Sequence, residues 1–186
     1  MHKEDGPPRR ERRRFRQREN NRSRVGSGSL LFDARGQELL SHWLNGSGTD
    51  LSFTDGTWGD YMRNNSIIKD YLTTRSVSEA SYMLSSGRTS YSYTSGNMNF
   101  EIQNGYLTGY EMLHGTNYFS YSVIGKYNAS SNSYIFDYTV KWYDSINPNH
   151  SYGADTFFSK ASNVFYSPKD YNISIIWHQS IIVKGR

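Results

Sequence analysis

The densest gathering of groups able to do chemistry is the run Trp142-Tyr143-Asp144-Ser145-Ile146-Asn147-Pro148-Asn149-His150-Ser151-Tyr152-Gly153-Ala154-Asp155. It brings two carboxylates, an imidazole and two amides together as a loop leaving a strongly patterned strand. Asp144 and His150 are six residues apart across a Pro-containing turn, so their side chains can meet. Such a pair can orient a general base, or hold a divalent cation such as Mg through oxygen ligands. The same letters also spell ordinary turn chemistry, since Asn-Pro-Asn favours an Asx-type loop. The spacing of Asp144, Asn147, Asn149 and Asp155 is not that of an EF-hand.

The strand before this loop decides which groups accompany it. Period-two alternation over 133–143 sets Tyr134, Phe136, Tyr138, Val140 and Trp142 on one face and Asp137, Thr139, Lys141 and Tyr143 on the other. One face is core and the other a working surface. The candidate catalytic set is therefore Asp137 and Asp144 as metal- or proton-positioning carboxylates, His150 as acid/base, and Tyr143 as an orienting group. Three further groups are secondary candidates. His178 alternates with Ile175 and Trp177 in the last strand, and would reach Asp137 or Lys141 if the two strands are neighbours. Glu111 and His114 have the spacing of a proton-shuttling pair in a metal-independent ribonuclease. Asp155 closes the loop. Zincin, P-loop and nucleophile-elbow motifs are absent, and a chain with no cysteine has no disulfide, thiolate or cysteine-based metal chemistry.

The elements that must position these groups fall into an α+β order. Leu39, Leu40, Trp43 and Leu44 recur at helical spacing behind a capping Asp33 and ahead of an Asn45-Gly46 stop. Trp58, Tyr61, Met62, Ile68 and Leu72 share one face of a second helix, with Thr57 and Asp60 spaced as a capping box. A third helix is expected over 77–84. From Thr89 the texture turns to alternating Tyr, Ser and Thr, giving strands at 89–94, 98–103, 106–113, 117–127 and 133–143 in a mainly antiparallel meander. A helix over 155–165 and a final strand over 171–183 complete the fold. The excess of tyrosine, 16 residues, suits such strands on either face.

Charge divides the 186 residues in two. Residues 1–24 hold ten Lys/Arg against four acids, whereas the remaining 162 hold eleven bases against thirteen acids. Residues 1–28 thus read as a disordered Arg-rich tail with a Gly/Ser linker, and 29–186 as one globular domain. Arg9, Arg10, Arg12, Arg13, Arg14, Arg16 and Arg18 are candidates for binding nucleic acid or another polyanion, with steep salt dependence, or an anionic membrane surface. The basic balance belongs to the tail and gives no reason to treat the body as a nucleic-acid binder. No apolar run approaches the ~20 residues of a membrane span, and no apolar stretch of a signal peptide follows the opening basic residues.

Tyr143-Asp144 followed by His150 resembles the Tyr-Asp…His core of the colicin M family, bacterial toxins that cleave the lipid-linked peptidoglycan precursor in a divalent-metal-dependent reaction. The Asp-to-His spacing agrees. The family pattern has an Asp two residues before the Tyr, where this chain has Lys141, and an Arg after the His, where it has Ser151; Asp137 is the alternative carboxylate on that strand face. A broader likeness, over 31–186, runs from Leu39-Leu40-Ser41-His42-Trp43-Leu44-Asn45-Gly46 through the Trp58-Gly59-Asp60-Tyr61-Met62 helix into the Tyr-rich sheet. This resembles the C-terminal toxin domains of Rhs-type polymorphic toxins, and implies delivery into a competitor cell and a cognate immunity protein. The reading that results is a toxin-type effector that hydrolyses a phosphodiester or pyrophosphate bond in an envelope precursor or nucleic acid. The competing reading is a nucleic-acid binder that grips through the Arg tail, with the β-rich body as scaffold or protein-binding module.

Overall fold

The computed structural model describes residues 32–102, 108–113, 116–147 and 167–185. The Arg-rich tail, His114, His150, Asp155 and the expected helix over 155–165 lie outside the described residues. Within Phe32–Arg186, which forms one compact unit, the described helices are α1 (Ala34–Leu44), α2 (Gly56–Arg63), α3 (Ser66–Ser85) and the single turn α4 (Gly109–Met112). The strands are β1 (Leu51–Thr54), β2 (Ser90–Thr94), β3 (Met98–Phe100), β4 (Thr116–Asn128), β5 (Ser133–Ile146) and β6 (Tyr171–Lys184). They form one six-stranded sheet in the order β1-β6-β5-β4-β2, with β3 also on β4. Every pairing is antiparallel except β1 with β6. The architecture is α+β, as the alternation of helical and period-two segments predicts.

The helices begin and end where short-range chemistry dictates. Asp33 caps α1 by accepting the Gly36 N–H at 2.7 Å, and the same oxygen accepts the Gly109 N–H at 3.0 Å while its partner accepts the Tyr61 hydroxyl at 2.5 Å. One carboxylate therefore ties α1 to α2 and α4. Gly46 ends α1 at φ +66, and a Cβ there would lie 2.0 Å from the Ser167 carbonyl oxygen. The expected second helix is interrupted. Asn64 ends α2, and the buried Asn65 starts α3 by accepting from the Ile67 and Ile68 N–H groups. The segment 77–84 is then simply the last part of α3. The capping box expected at Thr57 is replaced by Asp55, which holds the N-cap position with no side-chain cap bond.

Three strand expectations change. Residues 109–112 turn into α4, started by the Thr108 hydroxyl accepting from the Glu111 N–H. β3 is three residues long, ending at Phe100. β1 was not expected as a strand: four residues are too few for a visible alternation, and its pairing with β6 across more than a hundred residues is purely tertiary.

The core lies between the helices and one face of the sheet. Phe136, Tyr138, Val140 and Trp142 of β5 meet Ile173, Ile175 and Trp177 of β6 and Phe119, Tyr121 and Val123 of β4, all buried. From the other side come Leu39, Trp43, Trp58, Met62, Ile68, Leu72 and Met83. A Cβ at Gly59 would sit 3.2 Å from the Trp177 Cβ, so glycine lets α2 lie close on β6. The polar Ser76 is accommodated by bonds to the Leu72 carbonyl and the Tyr138 hydroxyl, each 2.9 Å.

Candidate functional site

The alternation of β5 settles the geometry of the predicted set. Even-numbered residues point into the core and odd-numbered ones away from it, a pattern carried through to Ile146. Asp144 therefore belongs to the core face. It is 5 % exposed, and its Oδ1 accepts the Ser145 N–H at 2.8 Å. Burial pushes its carboxyl up to about 7, partly offset by that hydrogen bond. A carboxyl with this affinity can both hold and release a proton near neutrality, the property required of a general acid or base.

Tyr143 and Asp137 lie on the opposite, outer face. Tyr143 lines a cleft of about 280 Å³ with Asn97, Tyr118, Ser120 and Lys141, and its ring centroid is 5.8 Å from that of Tyr118. Asp137 accepts a hydrogen bond from the Ser180 hydroxyl at 2.5 Å. Seven residues of extended chain, about 24 Å, separate Asp137 from Asp144. The pairing of these two carboxylates in one site is therefore corrected: opposite parity on one strand sends them to opposite faces. Asp137 cannot replace, at the strand end, the Asp that Lys141 displaces from the family pattern.

The secondary candidates separate as well. Glu111 sits in α4, so its expected strand does not form, and His114 lies outside the described residues. His178 is on β6, directly beside β5 and opposite Thr139, so the strands are neighbours as the reach to Asp137 or Lys141 required. Its ring is bound elsewhere, however: Nδ1 lies 2.7 Å from Asp55 Oδ2, and Asp55 Oδ1 accepts the His178 N–H at 2.9 Å. Arg63 completes the arrangement, donating to the His178 carbonyl at 2.7 Å and reaching Asp55 Oδ1 at 3.4 Å and Asp60. These bonds, the one from the His178 side chain foremost, hold the Asp55 carboxyl below its ordinary range.

Asp55 is the functional candidate that sequence reasoning passed over. Its backbone has φ 53 and ψ −145, a region that side-chain-bearing residues seldom enter, and one that costs about 1–3 kcal/mol when they do. The Thr54-Asp55-Gly56 triplet reads as a plain turn. Only the parallel pairing of β1 brings it to a histidine 123 positions later.

A second polar chain frames the end of β5. Ser145 donates to Asn172 at 2.7 Å, and Asp50 accepts from the Asn172 N–H at 2.9 Å. Among the described residues no three His, Cys, Asp or Glu side chains gather closely enough to hold a metal. Among the described residues at this strand end, Asp144 supplies one hard oxygen ligand. No described helix is long and apolar enough to cross a membrane.

No family model matches the chain, and no curated protein matches it. Among solved structures it is similar to truncated bacteriocin syringacin M from Pseudomonas syringae pv. tomato, at 16% identity and a TM-score of 0.45, over 81% of this chain and 60% of that one. The crystal structure of bacteriocin syringacin M from the same organism matches at 17% identity and a TM-score of 0.42, over 80% of this chain and 52% of that one. The chain thus spans between half and three-fifths of the length of these bacteriocin chains, and a likeness of this degree fixes neither family nor activity.

Proposed function

We propose that this chain is a bacterial toxin-type effector domain that hydrolyses a phosphodiester or pyrophosphate bond, with its centre at the C-terminal end of β5. One observation carries the reading. Asp144, the carboxylate of the Tyr-Asp…His spacing, is buried at the strand end with its proton affinity raised to about 7. A carboxylate buried at a strand end costs the fold energy, and such groups cluster where proton transfer is needed.

In this reading Asp144 takes a proton from the attacking water or returns one to the departing oxygen. Tyr143, the neighbouring residue at the strand end, is the orienting group, and His150, six residues on, is the second acid/base group. Delivery to a competitor cell and a cognate immunity protein belong to the same proposal.

The test is expression of the full chain in bacterial cytoplasm and, separately, directed to the periplasm. Killing is expected in one compartment, and Asp144→Ala and His150→Ala are each expected to abolish it while circular dichroism stays unchanged. Killing confined to the periplasm points to an envelope precursor, and killing in the cytoplasm to nucleic acid. If both variants kill as the parent does, Asp144 is not the centre.

A further inference from the structure

The outer face of the sheet carries an arrangement that the strand-end reading leaves unused. His178 exposes 56% of its side chain, and Asp55 40%. An ionised carboxylate can only accept, so the proton shared between Asp55 Oδ2 and the imidazole sits on Nδ1. Nε2 of the neutral ring is then the basic nitrogen, turned to the side of the ring away from Asp55. This is the tautomer selection that a carboxylate imposes on a working histidine.

Three further facts make it more than a surface ion pair. Asp55 keeps this geometry at a backbone conformation rare for a residue with a side chain. Its other oxygen and Arg63 bind the N–H and C=O of the same histidine, so both ring and backbone of His178 are fixed. The register also sets His178 opposite Thr139, placing Asp137 and Lys141 at its two diagonals on the neighbouring strand, roughly 7–8 Å away and within reach of long side chains. Lys141 in turn lines the tyrosine-walled cleft. No carboxylate pairs with its ammonium among the described residues.

We propose that the outer sheet face is a second acid–base centre, independent of Asp144, in which His178 is the base, Asp55 its positioning residue, and Lys141 the cation that holds a phosphate ester in the Tyr118–Tyr143 cleft. The step balances within the site. Nε2 takes a proton from water, the water oxygen bonds to phosphorus, the phosphorus–oxygen bond to the leaving group breaks, and the imidazolium returns its proton to the departing oxygen. The substrate class is a discrete phosphodiester or pyrophosphate bearing a flat or sugar ring. One cation among the described residues of the cleft, on a body with thirteen acids against eleven bases, fits one phosphate group better than a nucleic-acid backbone.

The test is hydrolysis of bis(p-nitrophenyl) phosphate and of UDP-glucose by the full chain, compared with His178→Gln, Asp55→Asn, Lys141→Ala and Asp144→Asn. His178→Gln is expected to lower kcat at least 100-fold, and His178→Ala to regain turnover with added imidazole, which a structural role would not allow. Asp55→Asn should lower kcat about tenfold and move the acid limb of the pH–rate profile. Asp60, Arg63, Asp137 and Lys141 stay in place around the ring in that variant. Lys141→Ala should raise KM more than it lowers kcat. Turnover within threefold of wild type in His178→Gln overturns the proposal. If Asp144→Asn is then the inactive variant, the strand-end centre stands alone. Cleavage of neither probe by the wild-type chain overturns the proposal too, and killing lost in Asp144→Ala would still uphold the first reading.

Discussion

The two faces of β5 and β6 hold their polar groups by opposite means. On the core face Asp144 is buried and has its proton affinity raised by desolvation. On the outer face Asp55 is half-buried, bonded through both oxygens, and has its affinity lowered by those bonds. The same functional group is thus a neutral-pH acid on one face and a fixed anion on the other. Under the two proposals, chemistry at Asp144 would draw on burial, and chemistry at His178 on partnership. The two centres should respond differently to pH, salt and substitution.

The largest effect separates the faces by packing. Trp177 is fully buried under α2, next in sequence to the exposed His178. Trp177→Ala should cost about 4–5 kcal/mol in urea unfolding, near the top of the range for large aromatic truncations. His178→Ala should cost under about 1 kcal/mol, because exposed ion pairs contribute little. Comparable losses would break the distinction between a face that holds the fold and one that is free to act.

The next effect tests the burial of Asp144 directly. Its folded affinity lies about three units above the unfolded value, so the folded state binds the extra proton between about pH 4 and 7. Stability contributed by the protonated carboxyl is complete below pH 4, and is lost as pH rises through about 7. At 1.36 kcal/mol per unit the swing is on the order of 4 kcal/mol. Asp144→Asn cannot ionise, so its stability relative to wild type should rise by that order between pH 4 and pH 8. Parallel pH–stability curves would mean that Asp144 is ionised at little cost, and would remove the observation on which the strand-end centre rests.

Sequence legibility follows the same division. The alternation that sets Trp142 inside and Tyr143 outside is a local property of the chain, and the structure reproduces it along β5 from Tyr134 to Ile146. Continuing the parity one residue further places Asp144 on the core face and Asp137 on the outer one. Their separation was therefore present in the letters, but hidden by treating the strand as ended at 143. The Asp33 cap and the Gly46 stop are likewise local. Asp55 with His178 is not: it needs β1, four residues long, to pair parallel with β6. Similarly, Asn64-Asn65 reads as part of a continuous helix until Asn65 turns its side chain back onto the start of α3. Tertiary pairing and caps inside an apolar pattern are what periodicity cannot see.

Asp55 allows the outer face to be tested without reference to turnover. If its backbone is held at φ 53 by its bonds to His178 and Arg63, replacing it separates strain from partnership. Asp55→Gly removes the bonds and relieves the strain, whereas Asp55→Ala removes the bonds and keeps it. The glycine variant should be more stable than the alanine variant by about 1 kcal/mol, despite the greater entropy of its unfolded chain. Both should lose the acid-side dependence that Asp55 gives the wild type. A depressed carboxyl stabilises the fold above its unfolded affinity, and that contribution is lost as pH falls through the folded one.

The smallest effect concerns Asp137. Ser180→Ala removes the hydrogen bond that Asp137 accepts from the Ser180 hydroxyl in an exposed setting and should change stability by less than about 0.5 kcal/mol. Asp137 stands one diagonal from His178, and the substitution leaves every charge on this face in place. Urea unfolding of the variant and of wild type should therefore differ by the same small amount at low and at high salt, as the loss of a neutral donor requires. A loss above about 1 kcal/mol would show that the bond to Ser180 helps to hold the sheet, and that Asp137 belongs to the part of the molecule that keeps the fold.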